Sequence, residues 1–213
     1  TIFSGNDSVA NGKFHVSFVV PYDLSYGGSG QVLAFAKSDD LATIAHGCTD
    51  AIVLGDGDIQ KTDTVGPKIF CYLNSPEFVD GDDVNTSPYF VAQLSDDSGI
   101  NATGNGVGHN LELVVDGDAN KTYDLNDNFA YDFASHTAGT TSYTLPTLEP
   151  GTHTLRFRAW DTMNNSSTAM LSFNVVKSIK PRIYSVDVTK NPASTSTTFI
   201  VSHSLAGCPV DVT

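Results

Sequence analysis

The chain has 213 residues, 40% of them apolar, with a formal net charge of −13 and a mean hydropathy of −0.10. That length leaves room for one large or two small domains with a proper core, and no apolar run approaches the roughly 20 residues of a membrane-crossing helix. The surplus of carboxylates repels a phosphate backbone and argues against nucleic acid as a partner.

All but Glu77, Glu112 and Glu149 of the 24 acidic residues are Asp, a residue of turns and caps rather than of helix interiors. With 18 Gly and nine Pro, the chain reads as strands joined by turns. Three segments are expected. Residues 1 to 66 are read as the back part of a preceding β-domain. They hold a strand at Gly12 to Pro21 that buries Phe14, Val16, Phe18 and Val20, then a strand near Gln31 to Ala36 and a weaker apolar stretch at Ala51 to Leu54. Lys61 to Gly66 is polar, ends at Pro67 and reads as a linker.

Residues 67 to 177 hold about seven strands, the size of an immunoglobulin-like β-sandwich. The strands are predicted at Lys68 to Asn74, Pro88 to Ser95, Asn110 to Val115, Lys121 to Leu125, Thr141 to Leu145, His153 to Asp161 and Thr168 to Val176. Asp116-Gly117 is a hairpin turn signal, and Phe129 to Ala138 is open between a short helix and a loop. The last two strands carry the clearest pattern. Leu155, Phe157 and Ala159 alternate with Arg156 and Arg158, and Ala169, Leu171, Phe173 and Val175 alternate with Met170, Ser172 and Asn174. Such period-two runs on either side of an Asn/Ser turn make a hairpin with one buried face.

Residues 178 to 213 are read as the start of a further β-domain, opening with Lys180 to Val188 and continuing through Asn191-Pro192 into Thr197 to Ser202. The chain opens at Thr1 without Met, and Val210-Asp211-Val212-Thr213 reads as a strand just beginning. The expectation is an excerpt of a longer polypeptide, with any export signal outside it. Partial sandwiches carry open strand edges, which would pair with each other or with a second copy.

Cys48, Cys71 and Cys208 are far apart and include no C-x-x-C pair, so spacing supports neither a disulfide framework nor a thiolate zinc site. Cys71 alternates with Ile69 and Leu73 and is read as a small buried hydrophobe. His46 and Cys48 match no catalytic arrangement, and Cys48 is read as a semi-buried structural thiol. His153 is expected to close the corner before its strand on a backbone carbonyl, as the tyrosine corner does, and His109 to be structural. Trp160, on the face opposite Leu155, is placed to stack with Arg156 or Arg158. The clusters around Asp56, Asp80 and Asp116 are read as turn formers. Asp96, Asp97 and Asn101, in Asp-Asp-Ser-Gly-Ile-Asn, are the preferred calcium loop, since calcium takes six to eight oxygen ligands. No cofactor is required.

Several motifs occur in order along the chain: Asn11-Gly12-Lys13-Phe14-x-x-Ser17-Phe18-Val19-Val20-Pro21, Gly66-Pro67-x-Ile69, Leu94-x-Asp96-x-Ser98-Gly99-Ile100-Asn101, Gly106-Val107-Gly108-His109-Asn110, Tyr123-x-Leu125-Asn126-Asp127, Leu148-x-x-Gly151-x-His153-x-Leu155, Ala159-Trp160-Asp161 and Val188-x-x-Asn191-Pro192. As a set they resemble the C-terminal region of the gingipain-type cysteine peptidases, family C25, and most closely the sortase branch that serves bacterial type IX secretion. The resemblance implies a parent enzyme that removes C-terminal secretion signals and joins the cargo to lipopolysaccharide. Its Cys and His lie in an upstream peptidase domain. Nothing in this chain matches that domain, so no catalytic residue carries over. Asp7-Ser8-Val9, Asp63-Thr64-Val65 and Asp161-Thr162-Met163 are also similar to the O-glycosylation triplet of some bacteria that use this route. The expected function is a non-catalytic accessory region at the bacterial cell surface or outer membrane. Its partners would be its own upstream catalytic domain and outer-membrane secretion or attachment proteins. The alternative is an independent adhesin or carbohydrate-binding module.

Overall fold

The computed structural model describes residues 1–22, 24, 29–53, 63–104, 108–178, 183–189, 191–192 and 196–203. The elements in chain order are β1 (Ser29–Lys37), β2 (Ile44–Val53), β3 (Lys68–Leu73), β4 (Asp83–Val84), β5 (Tyr89–Ser95), β6 (Glu112–Val115), β7 (Thr122–Asp124), β8 (Ala130–Tyr131), β9 (Ala138–Thr144), β10 (Gly151–Trp160), β11 (Ser166–Val175), β12 (Ile183–Val188) and β13 (Phe199–His203). Short 3₁₀ turns cover Ala119–Lys121 and Asn126–Asn128.

β3 to β11 build two facing sheets. One runs β3-β5-β9-β8 and the other β4-β11-β10-β6-β7. All neighbours are antiparallel except β4, which runs parallel to β11. This is the immunoglobulin-like arrangement, and the all-β reading of the sequence holds. The inward parity of each strand fills the space between the sheets. Phe90 and Ala92 from β5 meet Leu113 and Val115 from β6, Leu155 and Phe157 from β10 and Phe173 from β11, all at most 1% exposed. The Phe90 and Phe157 rings cross the two layers at 5.3 Å. Among the described residues no disulfide spans this core. Cys71 packs against its edge, where burial, with some help from the Asp80 charge, pushes the thiol up to about 11.

All seven sandwich strands predicted from the sequence form. The pairs Asp83–Val84 and Ala130–Tyr131, too short to show a period, are additions. Residues 129 to 138, open between helix and loop, hold β8 and a turn. At the Asp116-Gly117 turn both residues adopt positive φ, 55° and 66°, and the 3₁₀ turn at Ala119 lengthens the connection.

The strands define two poles. β10 and β11 pair from Gly151↔Val175 at one end to Trp160↔Ser166 at the other. Lys68, Ser95 and Ala138 lie in register at the second end. The linker arrives there with Gly66 against the backbone of Ser166, where a Cβ would stand 2.4 Å from the Ser166 carbonyl carbon. The chain leaves β11 from the opposite pole.

The flanking segments differ from the expectation. Phe14, Val16 and Phe18 are 57%, 42% and 42% exposed and belong to no strand. The pattern there marks a face, but no partner strand or second layer covers it. The N-terminal segment turns back at Asn11-Gly12 through the Ala10–Lys13 bridge. It touches the sandwich where Phe3 meets the Tyr131 ring at 4.8 Å and where Ala134 N donates to Asn6 O. β1 and β2 form an antiparallel hairpin, longer than the apolar stretch predicted for its second arm, and β2 is exposed along its whole length. β12 and β13 form a second hairpin. Cys48 lies on the first hairpin and is exposed, not semi-buried, because among the described residues nothing packs over that face. The strand start at Val210 to Thr213 and the cluster at Asp56 to Asp58 lie outside the described residues.

Candidate functional site

Three chain segments far apart in sequence meet at the pole where the linker enters. The linker brings Asp63, the turn after β5 brings Asp96, and the end of β10 brings Asp161. One carboxylate oxygen from each lies within 4.8 Å of the others. Asp161 is fully buried. Its Oδ1 accepts the backbone N–H of Met163 (2.9 Å) and of Asn165 (2.7 Å), and its Oδ2 accepts Asn165 Nδ2 (2.6 Å). The same Asn165 amide donates to the Asp63 carbonyl at 3.2 Å. Asp63 in turn accepts from Val65 N (3.0 Å) and the Ser98 hydroxyl.

The turn after β5 is clamped from both sides. Asp96 accepts Ser98 N at 2.8 Å, and Thr162 donates its hydroxyl to Ser98 O while its own N–H bonds Gly99 O. Gly99 holds φ +97°, with His136 O and Thr162 Cγ2 each 3.3 Å from where a Cβ would stand. Burial pushes the Asp96 carboxyl above the ordinary carboxylate range, and the charges of Asp161, Asp63 and Asp97 add to the rise, against the Ser98 amide bond that lowers it. Like charges gathered in a half-buried place disfavour ionisation.

The structure brings together a different set of residues from the loop expected to hold calcium. Asp96 is one of the three. Asp97 is exposed and stands outside the group, although its charge reaches Asp96. Asn101 is fully buried, and its Oδ1 accepts the Thr103 backbone amide and hydroxyl at 3.1 and 2.7 Å. Three carboxylates gathered this closely offer hard oxygen donors, the ligand type that calcium takes. The sequence reading missed Asp63 and Asp161. Asp161 continues the inward parity of Leu155, Phe157 and Ala159, and a carboxylate at a core-facing position was the available signal. Asp63 carried none.

The other singled-out residues are structural. His153 stands at the start of β10 with Nε2 2.8 Å from Glu149 O and Nδ1 2.9 Å from Asp116 Oδ2, closing the corner as expected. Burial raises the Asp116 carboxyl, but the hydrogen bonds from His153, Thr154 N and Lys121 outweigh it and hold the group below its ordinary value. Arg158 lies over Trp160, its Cζ 5.5 Å from the ring centroid, and His109 meets the same indole at 4.1 Å. Asp80 and Asp83 cap Ser172 and Asn174 of β11. His46 and Cys48 share the lining of one depression on the first hairpin, with no hydrogen bond between them. Of the three triplets, Thr162 is 3% exposed with its hydroxyl engaged and closed to modification, whereas Ser8 and Thr64 are exposed.

Fold and site together define an all-β, immunoglobulin-like domain flanked by β-hairpins, with an acidic knot at one pole. No family model matches the chain, and no curated protein does. A solved structure does, that of dimeric latent PorU from Porphyromonas gingivalis, at 36% identity and a TM-score of 0.55. The match covers 88% of this chain and 18% of that one. The motif resemblance to such a C-terminal region is therefore met by a structure, and the chain is similar to PorU over 88% of its length. The likeness does not favour the alternative of an independent adhesin. Among the described residues no helix is long and apolar enough to cross a membrane.

Proposed function

We propose that the chain is the non-catalytic accessory and interaction region of a larger cysteine peptidase of the PorU kind. The observation that carries this is the 36% identity to PorU across 88% of the chain, which spans 18% of that protein. The longer polypeptide would supply the peptidase domain upstream, remove C-terminal secretion signals and attach the cargo to lipopolysaccharide at the cell surface. This region would hold that domain in place and meet outer-membrane secretion or attachment proteins. The exposed apolar hairpins support the reading, because a two-stranded ribbon is marginal in water without a covering surface. Purified chain incubated with peptides ending in a secretion signal is expected to give no turnover, and to bind the separately expressed peptidase domain. Turnover by the chain alone, abolished by Cys48→Ala, would overturn this.

We also propose calcium as the ligand of the acidic knot, with Asp63, Asp96 and Asp161 as its carboxylates. An ion at a hundred times its dissociation constant adds about 2.7 kcal/mol of stability. The native chain should therefore melt higher in calcium than in chelator, and Asp63→Asn or Asp96→Asn should lose the increment. In chelator near neutral pH, Asp96→Asn should be at least as stable as the native chain. A carboxyl with a raised folded pKa contributes stability when protonated and loses it as pH rises above the ordinary 3.8. An identical calcium response in both variants removes the ion from the account.

A further inference from the structure

The outward face of the β3-β5-β9 sheet carries a depression that the core and the acidic knot do not use. Two rungs of the ladder build it, Lys68–Ser95–Ala138 and Phe70–Gln93–Thr140. Ser95 and Ala138 are small, so the surface dips between Phe70 and Lys68 on one side and Asp132, in the turn after β8, on the other. The hollow measures about 390 Å³. Phe70 is 52% exposed beside it, and Tyr72 follows along the same strand with its ring 5.7 Å from that of Phe70.

Asp80, Asp83, Asp96, Asp116 and Asp161 are all tied to amides or hydroxyls. Around the hollow, the side chains of Lys68, Gln93, Ser95, Asp132 and Thr140 make no hydrogen bond or ion pair with the described residues. An ammonium, an amide, two hydroxyls and a carboxylate are therefore uncommitted around one exposed aromatic ring.

We infer that this hollow is a subsite for an uncharged pyranose unit of a saccharide, seated with its C–H face on Phe70. A sugar ring offers one apolar face and a rim of hydroxyls, each both donor and acceptor. Gln93, Ser95 and Thr140 answer both roles, Asp132 accepts and Lys68 donates. An apolar peptide side chain would instead leave those groups desolvated and unpaired, at a cost of about 1 to 3 kcal/mol for each group buried. Lys68 and Asp132 offset each other in charge, and a chain of net charge −13 does not attract an anionic polymer. The inference stands whether or not the chain serves a peptidase.

The test is amide chemical-shift mapping of the ¹⁵N-labelled chain, titrated separately with methyl glucoside, methyl galactoside, methyl mannoside and N-acetylglucosamine. At least one sugar should give saturable shifts confined to residues 68–70, 93–95 and 138–140, with a dissociation constant on the order of millimolar. Phe70→Ala should weaken that binding about tenfold, as expected for loss of an aromatic stacking surface, and Gln93→Ala should weaken it severalfold. Both side chains are exposed, so both variants should melt with the native chain. No saturable shift with any of the four sugars, shifts that map elsewhere, or unchanged binding by Phe70→Ala would overturn the inference.

Discussion

Replacing Asp161 tests whether the acidic knot is a structural joint of the sandwich. The carboxylate is fully buried and accepts three hydrogen bonds, two from backbone amides that start the β10–β11 turn and one from Asn165 Nδ2. Asp161→Ala strands all three donors. An unsatisfied buried donor costs about 1 to 3 kcal/mol, and water entering at the pole restores part of it, so the expected loss is roughly 3 to 5 kcal/mol. A domain of about a hundred residues shifts by some 4 to 8 °C per kcal/mol, which places the variant more than ~12 °C below the native melting point. Asp161→Asn keeps Oδ1 for the two backbone amides and sets an amide against Asn165 Nδ2 in place of Oδ2. It also removes one of three crowded negative charges, so its loss should stay near ~1 kcal/mol. Urea unfolding followed by circular dichroism reads both variants. Asp161→Ala within ~0.5 kcal/mol of native, the range of ordinary surface changes, or Asn costing as much as Ala, would refute the reasoning.

Phe157→Ala, opposite Phe90 in the core, should cost about 3 to 5 kcal/mol by the same measurement. Gly139→Ala would put a Cβ 2.4 Å from the Phe129 ring and 2.5 Å from Ala130 O, and should lose about 1 to 3 kcal/mol to overpacking. Asp116, held below its ordinary 3.8, contributes stability that is present above that value and fades as pH falls through and below it. Asp116→Asn should therefore be less stable than native at pH 7 and show a flatter acid limb in melts between about pH 5 and 2. Peptide mapping after brief alkylation should find Cys48 modified well before Cys71 in the native chain, because a half-buried thiol raised to about 11 presents little thiolate.

Alternation identified the sandwich well because the inner faces of its two sheets cover each other. Leu155, Phe157, Ala159 and Phe173 were readable as inward residues, and all four are at most 1% exposed. Phe14, Val16 and Phe18 carry the same period and are exposed. Period two states which residues share a face and leaves open whether anything covers it. β4 was unreadable for a different reason. Two residues, Asp83 and Val84, carry no period, and their parallel pairing to β11 depends on a loop pinned by Asp80 to Ser172. The expected pairing of the flanking hairpins with each other also meets the topology. The linker from β2 enters at the Asp161 pole, whereas the chain toward β12 leaves β11 beyond Val175 at the other.

The acidic knot was legible only in part, and parity explains which part. Asp96 stood out because Asp-Asp-Ser-Gly-Ile-Asn is a local loop signal, and local signals suggest local partners, which is how Asp97 and Asn101 entered the expected set. Asp97 lies exposed in the turn after β5, and Thr103 engages Asn101. The actual companions come from 33 residues before and 65 residues after Asp96, a separation no short motif encodes. Asp161 was nonetheless inferable, since an Asp in step with Leu155, Phe157 and Ala159 must either bury a carboxylate with donors around it or end the strand. It does both. Its three donors turn the chain into β11, and Asn165 carries the contact on to the Asp63 carbonyl. Once the strand end is fixed in this way, the chain at Asp63 is fixed with it, held by a side-chain amide from the turn rather than by a local motif.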